Sequence, residues 1–115
     1  MKENRKLNTI LFADIAGYTS LMQNDEVKAM KLLQIFKKIL EQKVAKFEGL
    51  IVQYFGDACI LSFDSATLGV KCAISLQRSF LENDLPIRIG MHLGEVVFTE
   101  NNVFGDGVNI ASRIE

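Results

Sequence analysis

Apolar residues along the chain fall into short runs and helical stripes, separated by polar turns that carry glycine. Residues 7–13 (Leu-Asn-Thr-Ile-Leu-Phe-Ala) form an apolar run that stops at Asp14 and a loop holding Gly17, which predicts a buried strand. From about residue 25 to residue 47, Ala29, Leu33, Phe36, Leu40, Val44 and Phe47 recur every three or four positions. That spacing predicts one face of a long amphipathic helix, with lysines on its other faces. Asn24 or Asp25 is the candidate N-cap, and Gly49 follows as a C-terminal stop. Two strand-like runs, 50–55 and 58–63, are separated only by Gly56-Asp57, the signal of a tight hairpin. Ser65 then caps a second helix whose inner side is expected to carry Ala66, Val70, Ala73, Leu76 or Gln77, and Phe80. Residues 83–86 break it. Two short strands, 87–92 and 95–99, flank Gly94, and the polar turn Glu100-Asn101-Asn102 leads to Gly105-Asp106-Gly107. A last helix begins near Val108 and reaches barely two turns by Glu115.

The order strand, helix, strand, strand, helix, strand matches the ferredoxin-like βαββαβ pattern, an α+β fold with helices on one face of an antiparallel sheet. An added strand and the start of a further helix follow it. In that layout the third strand lies between the first and second and runs antiparallel to both. Asp14, ending the first strand, and Asp57, in the hairpin between the second and third, then project from one edge of the sheet.

Composition narrows the function classes. The chain has 115 residues, 49% hydrophobic and 23% charged, which suits one small globular domain. Thirteen Lys and Arg against 14 Asp and Glu leave a net charge of −1, so no electrostatic drive toward nucleic acid is expected. Cys59 and Cys72 lie in apolar stretches and predict two buried free thiols in a reducing cytosol. No apolar run approaches the ~20 residues that span a bilayer. The basic stretch 1–6 precedes an apolar run, but Asn8 and Asp14 interrupt that run and no small-residue cleavage pattern follows, so a signal peptide is rejected. A cytoplasmic location is expected, with no membrane contact from this segment; any attachment of a parent protein would come from other segments.

Candidate chemistry centres on the acids. Two aspartates at adjacent strand ends repel unless a cation lies between them, and such an oxygen site suits Mg²⁺ or Mn²⁺. The plainer reading makes Asp57 a turn residue and Asp14 a helix-entry cap. The stretch Ile15-Ala16-Gly17-Tyr18-Thr19 could bring backbone amides close to a phosphate, with a helix start adding positive potential, although a single glycine commonly just makes a turn. Asn109 and Arg113 stand four residues apart on one helix face, where an amide and a guanidinium can orient a sugar and neutralise a phosphoryl group. Capping and solvation are the plainer roles for that pair. His92, the only histidine, has no ligand cluster around it and is expected to be structural; Met22, Met30 and Met91 are expected to be packing residues.

Phe12-Ala13-Asp14-Ile15-Ala16-Gly17-Tyr18-Thr19, Phe55-Gly56-Asp57 and Val103-Phe104-Gly105-Asp106-Gly107-Val108-Asn109-Ile110-Ala111-Ser112-Arg113 resemble, in order and spacing, the three signatures of class III adenylate/guanylate cyclase domains. The run from Arg88 to Glu95 is similar to that of bacterial members. The resemblance implies a head-to-tail homodimer with composite sites. Asp14 and Asp57, helped by the Ile15 carbonyl, would hold two Mg²⁺ or Mn²⁺ ions per site. Amides from Ile15 to Thr19 would cradle the triphosphate, and the partner's copies of Asn109 and Arg113 would position the ribose and stabilise charge on the α-phosphate. The implied reaction converts ATP to 3′,5′-cyclic AMP and pyrophosphate in intracellular signalling.

Two departures stand out. The base-reading lysine and aspartate of family adenylate cyclases are replaced by Gln53 and Asn102, both able to donate and accept hydrogen bonds. ATP is favoured over GTP on frequency alone. The resemblance also places the end of the chain inside the family domain, so residues 1–115 are expected to be a C-terminally truncated cyclase domain with little or no turnover alone. The alternatives are a guanylate cyclase or a degenerate regulatory module that binds nucleotide without catalysis. A GGDEF-type diguanylate cyclase is disfavoured because that sequence does not occur.

Overall fold

A computed structural model describes residues 4–98 and 103–104, with side chains described for 8–94. The chain runs β1 (Asn4–Ile15), α1 (Tyr18–Asn24), α2 (Glu26–Lys46), β2 (Leu50–Phe55), β3 (Ala58–Phe63), α3 (Ala66–Glu82), β4 (Ile87–Phe98) and β5 (Val103–Phe104). The five strands form one sheet in the order β2-β3-β1-β4-β5, with every neighbouring pair antiparallel. This is the ferredoxin-like arrangement expected from the sequence, extended by β5.

Strand β1 is central, and its alternation divides the molecule into two faces. Leu11, Ala13 and Ile15 point toward the helices, into a core with Phe36, Leu40 and Val44 of α2, Cys72, Leu76 and Phe80 of α3, and Cys59, Leu61 and Phe63 of β3. The Phe36 and Phe80 rings lie 5.6 Å apart and tie the two helices together. Ile10 and Phe12 face the other way and join Ala58 and Ile60 in a smaller apolar cluster, with Val52 against it.

Local chemistry explains the helix ends. Asp25, rather than Asn24, caps α2 by accepting a hydrogen bond from the Lys28 amide at 3.1 Å, and Ser65 caps α3 through the Leu68 amide at 3.2 Å. At the end of α2 the Gly49 amide reaches back to the Val44 carbonyl at 2.8 Å and the Glu48 amide to that of Ala45 at 3.3 Å. This is a Schellman closure, and its left-handed residue is Glu48 (φ 58°), not the glycine. Gly49 is needed for space: a Cβ there would collide with the Phe63 ring. The end of α3 repeats the closure with Asp84 (φ 54°), and the Leu85 amide bonds to the Phe80 carbonyl at 2.8 Å.

Several sequence expectations need correction. The inner face of α3 is Gly69, Cys72, Leu76 and Phe80; Val70 is exposed and Ala66 lies outside. Gly69 takes the inward position because a Cβ there would stand 2.8 Å from Thr9 Cγ2, so the helix sits against β1 only with a bare backbone. Strand β4 does not divide at Gly94: it pairs without interruption along β1, Gly94 opposite Asn8. The added strand is therefore β5, not residues 95–99. Helix α1 is a separate element that the hydrophobic pattern does not announce. Met22, Met30 and Met91 are 37%, 51% and 41% exposed rather than packed inside. Cys59 and Cys72 are free and fully buried, as expected. The last helix near Val108 lies outside the described residues, among which no helix is long and apolar enough to cross a membrane.

Candidate functional site

Where β1 ends, three segments meet at one rim of the sheet. Asp14 stands directly opposite Ala58 of β3 on one side and Arg88 of β4 on the other. The residue before Ala58 is Asp57, and the Ile15 amide donates to the Asp57 carbonyl at 3.3 Å. Asp14 and Asp57, 43 positions apart in the chain, are thus neighbours across the rim. The β2-β3 hairpin that brings Asp57 there turns on Gly56, whose φ of +61° is left-handed and unfavourable for other residues.

Asp14 is an unusual ligand candidate because it is 2% exposed while belonging to the face that lacks helices. A carboxylate is buried at acceptable cost only when its charge is met. Here Arg88 meets it with two parallel hydrogen bonds, Nε to Oδ1 at 2.9 Å and Nη2 to Oδ2 at 3.0 Å. Asp57 is half-buried at the turn.

The loop after β1 is anchored at both ends. The Ala16 amide donates to the Pro86 carbonyl at 2.9 Å, Gly17 adopts a left-handed conformation (φ 72°), and α1 starts at Tyr18. Of the amides expected to cradle a triphosphate, those of Ile15 and Ala16 are therefore committed to the fold. Gly17, Tyr18 and Thr19 remain, at the helix start where amides lack intrahelical partners. Tyr18 packs partly against the main core.

Gln53 is exposed on β2 opposite Ile60, on the same helix-free face as Asp14, beyond a register shift between Ile51 and Gln53. Asn102, Asn109 and Arg113 lie outside the described residues. Among the described residues no three His, Cys, Asp or Glu side chains group to hold a metal. A cation on this rim would rest on the two carboxylates, a backbone carbonyl such as that of Ile15, and oxygens from water or substrate. That all-oxygen, low-ligand-count set fits Mg²⁺ or Mn²⁺, which are commonly held by one or two carboxylates plus phosphates, and does not fit zinc.

Arg88 is the residue at this rim to which sequence reasoning assigned no role. A lone charge between Ile87 and Ile89 in an apolar strand is a visible signal, but its pairing with Asp14 depends on β1-β4 register, which no local pattern encodes.

Comparison with known proteins agrees with this fold. The family described as "Adenylate and Guanylate cyclase catalytic domain" matches residues 1–115. "Putative adenylate cyclase 3" of Rhizobium meliloti (strain 1021) is 38% identical over 96% of the chain, and an adenylate cyclase of Anabaena cylindrica is 33% identical over 93%. The chain spans only 20% and 26% of the lengths of those two relatives. Among solved structures, an adenylate/guanylate cyclase/hydrolase from Silicibacter pomeroyi superposes with a TM-score of 0.86 at 30% identity, over 99% of this chain and 72% of that one. The chain belongs to the adenylate and guanylate cyclase catalytic domain family.

Proposed function

We propose that the chain forms part of a Mg²⁺- or Mn²⁺-dependent nucleotidyl cyclase that makes 3′,5′-cyclic AMP and pyrophosphate from ATP. The observation that carries this reading is the antiparallel register that sets Asp14 beside the turn bearing Asp57, on the rim where α1 begins. Asp14, Asp57 and the Ile15 carbonyl would hold the ions, which when bound would supply positive charge to lower the pKa of a ribose hydroxyl and offset charge on the phosphates. The amides of Gly17, Tyr18 and Thr19 orient the phosphate chain from the start of α1. Asn109 and Arg113, supplied by a second copy in a homodimer, fix the ribose and offset charge at the α-phosphate. Gln53 and Asn102 meet the base.

Gln53 supports a second reading, a guanylate cyclase or a noncatalytic nucleotide-binding module, because its amide satisfies adenine and guanine equally well. One experiment separates them. The intact parent protein is incubated with Mn²⁺ and either ATP or GTP, and cyclic product is measured. Cyclic AMP from ATP, lost in Asp57→Ala, is the expected result. Cyclic GMP alone selects the guanylate reading, and no product from either nucleotide overturns catalysis.

A further inference from the structure

The buried ion pair at the rim has a consequence for metal entry. Asp14 is fixed by its place in the central strand and is 2% exposed, whereas the Arg88 side chain is 57% exposed. Arg88 covers both carboxylate oxygens, at 2.9 and 3.0 Å. A cation bound by Asp14 needs lone pairs on those same atoms. Arginine keeps its proton throughout the accessible pH range, so the guanidinium cannot yield by titration; it has to move or share.

We propose that Arg88 is the resident counter-cation of Asp14 in the metal-free chain, and that divalent-ion binding and release of Asp14 by Arg88 are one exchange. The inference rests on Asp14 being a metal ligand. Arg88 is then a positioning residue for the site before metal enters. It holds a buried carboxylate in place, and it lowers the apparent affinity for a free divalent ion because each ion competes with an existing bidentate pair. The cross-strand register makes this possible, since Asp14 and Arg88 are directly opposite on adjacent strands and share a face.

The test measures Mn²⁺ binding without nucleotide, by the electron paramagnetic resonance signal of free Mn²⁺, in the intact parent protein. Arg88→Gln is expected to bind Mn²⁺ about tenfold more tightly than the unsubstituted protein, with Arg88→Lys between them because it keeps the charge but not the fork. Asp14→Asn is expected to lose that binding in either background. Unchanged or weaker binding by Arg88→Gln, with Asp14→Asn still losing it, overturns the exchange while leaving the metal reading intact. Equal binding by Asp14→Asn and the unsubstituted protein overturns the metal reading, and the exchange with it. Should Arg88→Gln fail to fold, the unsubstituted protein decides the same question through the ¹⁵N resonance of Arg88 Nε. Its N–H is expected to exchange slowly with water without Mg²⁺ and quickly at Mg²⁺ saturation, and an unchanged Nε–H at saturation contradicts the proposal.

Discussion

The two faces of the sheet use the same central strand for opposite purposes. Toward the helices, Leu11, Ala13 and Ile15 enter a continuous apolar core closed by α2 and α3. On the other face, Ile10 and Phe12 are flanked by Asn8 and Asp14, and the apolar cluster is small. There pairing holds most of the buried polar groups: Asn8 Nδ2 donates to Ser62 Oγ at 2.6 Å, leaving Asn8 Oδ1 without a partner, and Asp14 is held by Arg88. The comparison teaches that a strand with period two can separate stability from chemistry residue by residue. One face is held by shape, the other by partners.

That contrast breaks most visibly under truncation of the packed face. Phe36→Ala removes a fully buried ring and its contact with Phe80, and is expected to cost ~3–5 kcal/mol in chemical denaturation. Gly69→Ala probes the same face by overfilling: its new methyl meets Thr9 Cγ2 at 2.8 Å, so a loss of about 1–3 kcal/mol is expected in the same measurement.

The packed face also has an alkaline signature. Burial pushes the Cys59 thiol from 9.0 up to about 12 and the Cys72 thiol up to about 11, each offset in part by a nearby lysine. The folded state therefore keeps protons that the unfolded state releases. This contribution is whole below pH 9 and is lost as pH rises toward 11 and then 12. Cys72→Ala should flatten part of that decline in denaturation curves taken across the range, and a decline of unchanged slope would refute the assignment. At the rim, Asp57→Ala should change stability by no more than ~0.5 kcal/mol while abolishing Mn²⁺ binding. A stability loss as large as that of Phe36→Ala would show that this rim is a packing element after all.

Local chemistry makes much of this legible. Gly56-Asp57 between two apolar runs marks the hairpin, Ser65 marks the start of α3, and the three-and-four spacing marks α2. Resemblance points to Asp14 and Asp57 as metal ligands, and the strand order brings them to one rim. What stays hidden depends on long-range register or close approach. Gly69 looks like a weak helix residue until Thr9 is known to lie beneath it, which is why the hydrophobic pattern puts Val70 on the inner face. Gly94 looks like a strand break until twelve residues of β4 are seen paired along β1. The role of Arg88 emerges only when that same register sets it opposite Asp14. Glu48 and Asp84 take left-handed positions where sequence favours glycine, because the Schellman hydrogen bonds and packing of the following residue fix the turn.

The central claim is that the rim between β1 and the β2-β3 turn holds divalent ions. It is tested most directly by anomalous scattering from crystals of the intact parent protein grown with Mn²⁺ and a non-hydrolysable ATP analogue. The account predicts Mn²⁺ peaks roughly 2.0–2.3 Å from carboxylate oxygens of both Asp14 and Asp57, with Arg88 moved off at least one Asp14 oxygen. A nucleotide-bound structure with no Mn²⁺ at this rim, and Arg88 still covering both oxygens of Asp14, would contradict it.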